Sequence, residues 1–147
     1  MRASRAWWQH IEPMQHATLM NSSAPLVYVV DDDSGVRAAL ALLIEASGWR
    51  ARTFASAPAF LEHAHGQQPD CVCLLLDLHM PRMNGAELTE HLRNHGMGMP
   101  TVVLTAAPEG ALAKRALAAG ALHVFAKPVD PGQLRAALAR ALDQSAD

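Results

Sequence analysis

Short apolar runs alternate with stretches of helical periodicity along this chain, and the alternation predicts five strands and five helices. The runs are rich in β-branched residues and end at polar side chains, which is typical of buried strands. They predict strands at residues 26–30, 50–54, 71–76, 101–104 and 121–125. Strands that alternate with helices in this way favour a parallel sheet covered on both faces, with right-handed crossovers.

The stretches between the runs show where helices are expected to begin and end. Apolar residues at helical spacing predict helices at about 36–47, 56–65, 86–95, 108–119 and 131–142. Ser34 is the expected cap of the first helix, while the neighbouring Asp33 either helps to cap it or is solvated. Ser56 and Asp130 are the expected caps of the second and fifth helices.

Carboxylates follow two of the predicted strands. Asp31, Asp32 and Asp33 come directly after the first strand, and Asp77 comes directly after the third. Ligands of an open α/β sheet bind outside the carboxyl ends of its strands, so the acids of two neighbouring strands would meet in one crevice. Carboxylates that lie so close together repel and need protons or a cation. An all-oxygen, partly hydrated site suits Mg²⁺.

The next two strands end in a hydroxyl and an ammonium. Thr105 closes the fourth strand, and Lys127 follows the fifth. With a metal ion on one oxygen, the Thr105 hydroxyl and the Lys127 ammonium could hold the other two oxygens of a phosphoryl group on Asp77. A carboxylate can itself be the nucleophile and form an acyl phosphate. The plainer alternatives are a turn residue for Asp77, a strand-ending residue for Thr105 and an exposed loop residue for Lys127.

Composition narrows the class of protein. The 147 residues suffice for one domain with its own core, and 50% hydrophobic with 18% charged residues is a globular composition. A net charge of −2 without a Lys/Arg cluster gives no sign of direct nucleic-acid binding. No apolar stretch reaches the roughly 20 residues of a membrane span, and no signal peptide is recognisable. We therefore expect a cytoplasmic protein.

Several short motifs together resemble the receiver domain of two-component response regulators. They lie in the order and at the spacing of that family and cover roughly residues 25–142. The matching pieces are Val29-Val30-Asp31-Asp32-Asp33, Leu76-Asp77-Leu78-His79-Met80-Pro81-Arg82-Met83-Asn84-Gly85, Leu104-Thr105-Ala106, Ala119-Gly120-Ala121 and Lys127-Pro128. Two further stretches, at 30–37 and 53–57, resemble regulators of the nitrogen-fixation type, in which a helix-turn-helix domain usually follows the receiver.

The resemblance implies a fold and a site. The fold is flavodoxin-like, a doubly wound five-stranded parallel sheet in the order 2-1-3-4-5 with five helices. The implied phosphoacceptor is Asp77, assisted by Thr105 and Lys127, and the implied cofactor is Mg²⁺. The metal ligands would be Asp31 (partly through water), Asp32, Asp77 and the backbone carbonyl of His79. The side chain of His79 would lie beside the phosphate, and the bond before Pro128 would be cis.

One position departs from the family pattern. Members often carry Tyr or Phe three residues before the Lys, and that side chain turns inward as the Thr moves. Here the position is Val124, and the neighbouring Phe125 lies on the opposite face of the strand because side chains alternate. We therefore expect the aromatic switch to be absent or replaced by a smaller packing change.

The predicted organisation is a flexible N-terminal extension at residues 1–24 and a receiver domain at 25–147. Translation could instead begin at Met14 or Met20. The expected function is to accept a phosphoryl group from a sensor histidine kinase or phosphotransfer protein and to switch a protein-interaction surface, without being an enzyme. Homodimerisation on phosphorylation is a hypothesis from the resemblance. With no output domain in the sequence, the chain is a stand-alone receiver or the truncated N-terminal half of a helix-turn-helix regulator.

Three alternatives stay open on the sequence alone. A phosphohydrolase of the haloacid-dehalogenase type also uses an Asp after a strand, but it needs a second Asp two residues on, where this chain has His79. A flavin- or nucleotide-binding module of the same fold would need a Gly- or Ser/Thr-rich loop in place of the three acids at 31–33. A degenerate receiver that no longer accepts phosphate is the third.

Overall fold

The computed structural model describes residues 24–64 and 72–146, and within them five parallel strands form one sheet. The spatial order of the strands is β2-β1-β3-β4-β5, which confirms the predicted doubly wound fold. The strands are β1 Leu26–Val30, β2 Arg50–Phe54, β3 Val72–Asp77, β4 Thr101–Thr105 and β5 His123–Ala126. The helices are α1 Ser34–Ala46, α2 Ala57–Ala64, α3 Gly85–Asn94, α4 Ala111–Ala118 and α5 Pro131–Ala146.

Burial differs between the inner and the outer strands, and the sequence pattern follows it. Every residue of β1, β3 and β4 is buried, because helices cover both faces of the sheet there. These strands accordingly read as continuous apolar runs. The edge strand β2 has only exposed and half-buried residues, and Arg50 is one of the exposed ones.

The sheet separates two apolar cores. Leu74 belongs to the core that packs under α2, α3 and α4, whereas the next residue, Leu75, belongs to the core under α1 and α5. In β5, Val124 packs against the first core and Phe125 against the second, which confirms the predicted alternation. The phenyl ring of Phe125 therefore lies on the other side of the sheet from α4.

Two helix starts differ from the prediction. The cap of α1 is Asp33, whose Oδ1 accepts a hydrogen bond of 3.0 Å from the Val36 amide, while the predicted cap Ser34 is the first helical residue. The fourth helix begins at Ala111, three residues later than predicted. The Gly110 amide donates to the Ala107 carbonyl at 3.1 Å, so residues 107–110 form a turn of their own before α4.

The other predicted caps are confirmed. The Ser56 hydroxyl accepts from the Ala59 amide at 3.2 Å, and the Asp130 carboxylate accepts from the Gln133 amide at 2.9 Å. Three predicted features lie outside the described residues: residues 1–23 of the extension predicted at 1–24, the end of the second helix at His65 and the start of the third strand at Cys71. No helix in the described part of the chain is long and apolar enough to cross a membrane.

Candidate functional site

Three carboxylates meet at the carboxyl edge of the sheet. Strands β1 and β3 are neighbours, with Val30 paired to Leu76, so that Asp31 and Asp77 follow on adjacent strands. One carboxylate oxygen from each of Asp31, Asp32 and Asp77 lies within 4.8 Å of the others. Asp31 and Asp77 are buried, with exposed fractions of 1% and 7%, whereas Asp32 is open to solvent.

The ammonium of Lys127 lies between two of these acids. Its Nζ is 3.1 Å from Asp31 Oδ2 and 3.4 Å from Asp77 Oδ1. The backbone amide of Lys127 donates to the Thr105 carbonyl at 2.9 Å, which continues the pairing of β4 with β5 and fixes the residue at this edge. The Lys127–Pro128 bond is cis, as the resemblance implied.

The surroundings of Asp77 and Lys127 raise the pKa of both groups, for different reasons. Burial, together with the charge of Asp31, raises the pKa of Asp77, although Lys127 and a backbone hydrogen bond from His79 act against the increase. Burial acts to lower the pKa of Lys127, but hydrogen bonds to Asp31 and Asp77 and their charges outweigh it and raise that pKa. The surroundings therefore favour the charged form of Lys127, whereas the ionised form of Asp77 is less favourable than that of an exposed aspartate.

The acidic loop after β1 is held by its own backbone and by Arg37. Asp31 Oδ1 accepts the Asp33 amide at 2.9 Å, and the Arg37 guanidinium donates to the Asp31 carbonyl at 2.7 Å. The sequence prediction missed Arg37. The only sequence signal is its position in the first turn of α1, from which a long side chain can reach back over the loop.

Thr105 is fully buried, and its hydroxyl has two hydrogen-bonding neighbours. Oγ1 accepts the Ala107 amide at 3.0 Å and lies 3.3 Å from Nδ1 of His79. The His79 side chain itself is exposed. The resemblance gave His79 a role through its backbone carbonyl, so the contact of its imidazole with Thr105 is an addition from the structure.

The start of α3 packs directly on the backbone of Asp77. A Cβ atom on Gly85 would lie 2.6 Å from the Asp77 carbonyl oxygen and 2.9 Å from Cα of Leu78. The Gly85 amide donates to the Leu78 carbonyl at 2.9 Å, and Asn84 caps the helix through a reciprocal pair of bonds with Glu87. Only glycine allows this approach, so the helix fixes the backbone on which the Asp77 carboxylate is carried.

The cluster suits a hard divalent cation. Its donors are all carboxylate oxygens, two of them buried and one facing solvent, which matches the preference of Mg²⁺ for few protein ligands and several waters. Burial and the charge of Asp31 outweigh Lys127 and raise the pKa of Asp77, and a bound cation would act against that increase. The acids at 31, 32 and 77 therefore fit a bound magnesium ion.

Comparison with known proteins agrees with this geometry. The family model "Response regulator receiver domain" matches residues 27–139. Response regulator protein TmoT of Ectopseudomonas mendocina is 36% identical over 123 residues, which are 84% of this chain and 55% of TmoT. Transcriptional regulatory protein FixJ of Azorhizobium caulinodans is 38% identical over 128 residues, which are 87% of this chain and 59% of FixJ.

Solved structures show the same fold. The response regulator StyR matches with a TM-score of 0.76 and 39% identity, over 84% of this chain and 61% of StyR. The N-terminal part of FixJ matches with a TM-score of 0.74 and 32% identity, over 81% of this chain and 94% of that structure. The chain thus spans less than two thirds of the curated relatives TmoT and FixJ, and nearly all of an isolated receiver.

Proposed function

The chain belongs to the response-regulator receiver family, and on that premise we propose that it accepts a phosphoryl group on Asp77. The donor would be the phosphohistidine of a sensor kinase or a phosphotransfer protein. The observation that supports this proposal is the convergence of Asp31, Asp32 and Asp77 with the Lys127 ammonium at one edge of the sheet. A nucleophilic carboxylate, acidic metal ligands and a cation are the groups that phosphoryl transfer requires.

In the proposed transfer, a carboxylate oxygen of Asp77 attacks phosphorus. The bond from phosphorus to the donor imidazole nitrogen breaks, and that nitrogen keeps the electron pair. Lys127 is already within 3.4 Å of Asp77 and would pair with one phosphoryl oxygen, while the Thr105 hydroxyl would donate to another. A magnesium ion held by Asp31, Asp32, Asp77 and the His79 backbone carbonyl would offset the negative charge of the carboxylate and the phosphoryl group.

Phosphorylation would then bias two conformations of the surface formed by α4, β5 and α5. Thr105 is paired with Ala126 at the end of β5, and Val124 lies two residues earlier, on the face of the core that α4 shares. A movement of Thr105 would therefore reach α4 through aliphatic packing at Val124. This route replaces the inward turn of a Tyr or Phe, because the ring of Phe125 packs on the other face.

A second proposal concerns the protein to which this chain belongs. Its relatives TmoT and FixJ are longer than the matched region, and FixJ is by name a transcriptional regulatory protein. We infer that the receiver serves as the input half of a DNA-binding regulator. Fusion to the part of FixJ that lies outside the matched region, followed by a DNA-binding assay with and without phosphorylation, would test that role. Binding that ignores phosphorylation would speak for a stand-alone receiver.

The first test of the proposed function is chemical. The intact mass is measured after incubation with acetyl phosphate and Mg²⁺, for the wild type, for Asp77→Asn and for the matched surface control Asp143→Asn, whose residue is exposed on α5. We expect one hydroxylamine-labile phosphoryl group on the wild type and on the control, and none without Mg²⁺ or on Asp77→Asn. Equal labelling of Asp77→Asn would refute the assignment.

A further inference from the structure

The hydroxyl of Thr105 has one proton to donate, and two groups lie within hydrogen-bond distance of its oxygen in this structure. Oγ1 accepts the Ala107 amide at 3.0 Å, and the remaining neighbour within hydrogen-bond distance is Nδ1 of His79, at 3.3 Å. Thr105 has no exposed surface, so solvent does not take its proton. A buried hydroxyl is normally satisfied as a donor as well as an acceptor, and Nδ1 of neutral imidazole is an acceptor when the proton is on Nε2.

We propose that His79 acts as a latch on Thr105: in the unphosphorylated protein, Nδ1 of His79 accepts a hydrogen bond from the Thr105 hydroxyl. In this way the imidazole competes with the phosphoryl group for the same hydroxyl. This inference rests on the proposed function, in which Thr105 donates to a phosphoryl oxygen. A single proton cannot serve both acceptors. Phosphorylation must therefore break the bond between Thr105 and His79 before the new one forms, and the bond stabilises the unphosphorylated arrangement.

Because of where the two side chains lie, a substitution at residue 79 can change this hydrogen bond without disturbing either core. The imidazole is exposed, whereas the hydroxyl it contacts is buried at the end of β4. A change of residue 79 therefore alters the acceptor without removing a side chain from either core. It also leaves the backbone carbonyl of residue 79, the implied metal ligand, in place. His79 thus acts through Thr105 as a positioning residue.

The opposite tautomer makes the opposite prediction. If Nδ1 carried the proton, Oγ1 would accept two hydrogen bonds, from the imidazole and from the Ala107 amide, and would keep its own proton for the phosphoryl oxygen. Removing the imidazole would then weaken the hold on Thr105 without relieving any competition. The sign of the effect on phosphoryl binding therefore separates the two arrangements.

The test uses the full chain and beryllofluoride with Mg²⁺ as the phosphoryl mimic, with the dissociation constant measured by calorimetry. His79→Leu removes the acceptor, His79→Gln restores one through its side-chain carbonyl, and Thr105→Ala removes the donor. We expect His79→Leu to bind the mimic about two- to tenfold more tightly, the range for one net hydrogen bond. His79→Gln should bind like the wild type, and His79→Leu should have no effect in the Thr105→Ala background.

A second readout needs no mimic. In metal-free protein at a pH above the range in which histidine titrates, the imidazole ¹⁵N shifts of His79 should show Nδ1 without a proton and Nε2 with one. A protonated Nδ1 overturns the latch. So does an unchanged or weaker affinity in His79→Leu, or a gain that persists in the Thr105→Ala background. If the wild type neither binds the mimic nor is phosphorylated, the proposed function is overturned, and with it the competition between His79 and the phosphoryl group.

Discussion

The contact of Gly85 with the backbone of Asp77 predicts a large loss of stability in Gly85→Ala. The new Cβ would lie 2.6 Å from the Asp77 carbonyl oxygen, 2.8 Å from Cδ1 of Leu76 and 2.9 Å from Cα of Leu78. Two of these neighbours are backbone atoms, which no change of rotamer can move. The first turn of α3 or the end of β3 must shift by a few tenths of an ångström instead.

The size of the effect follows from this overpacking. Inserting a methyl group into a well-packed site costs about 1–3 kcal/mol, and clashes with backbone atoms belong to the upper part of that range. We expect the free energy of unfolding to fall by about 2–3 kcal/mol. That is a substantial share of the roughly 5–15 kcal/mol that stabilises a typical domain.

Urea denaturation followed by circular dichroism measures the effect, and Gly98→Ala is the matched control. Gly98 is exposed, a Cβ there meets no atom within 4 Å, and its φ is not positive. The control should therefore gain about 0.4–1 kcal/mol, because alanine reduces the entropy of the unfolded chain. The two substitutions are chemically identical but should have opposite signs. A Gly85→Ala protein as stable as the wild type would refute the packing of α3 against Asp77.

Three further predictions concern the charges and the caps. Because the pKa of Asp77 is raised in the folded state, the metal-free wild type should lose stability as the pH rises from the unfolded-state pKa through the folded-state pKa. The loss should be about 1.4 kcal/mol for each unit by which the two pKa values differ. Asp77→Asn should lack this loss and be the more stable protein at pH 7, which urea titrations at several pH values will test. Lys127→Met leaves Asp31 and Asp77 without their counter-charge, so without metal it should lower the free energy of unfolding by about 1–3 kcal/mol. Mg²⁺ should then raise the melting temperature of Lys127→Met more than that of the wild type, and an equal rise in both proteins would contradict the prediction. Asp33→Ala should lower stability by about 1 kcal/mol through the lost cap of α1, while Ser34→Ala changes little; the reverse order in urea denaturation would restore the cap to Ser34.

The sequence could predict the sheet because its inner strands are buried on both faces. Such strands must be continuous apolar runs, and the carboxyl ends of the runs mark the edge at which Asp31, Asp77 and Lys127 meet. The spatial order of the strands, in contrast, came with the family resemblance and not from the pattern. Periodicity also cannot choose between neighbouring caps. Asp33 and Ser34 are both good caps, and only the backbone conformation at Asp33 decides between them.

The details of the site depend on distances that a sequence does not contain. Residue 79 follows β3 and residue 105 ends β4, so their hydrogen-bond contact appears only once β3 and β4 are paired. The same holds for Arg37, whose guanidinium crosses back to the loop after β1. Composition and spacing thus predict which groups gather at the edge of the sheet, whereas the hydrogen bonds among them require the folded chain.

On the proposed function, the position of Lys127 between two acids would link the binding of the metal ion thermodynamically to phosphorylation. In the unmodified protein, the ammonium is a tethered counter-ion that already satisfies part of the charge a metal ion would satisfy. A phosphoryl oxygen would offer that ammonium another partner and would thereby free Asp31 for the metal. Each ligand should then raise the affinity for the other by the same factor. A receiver built in this way would bind magnesium more weakly before phosphorylation than after it.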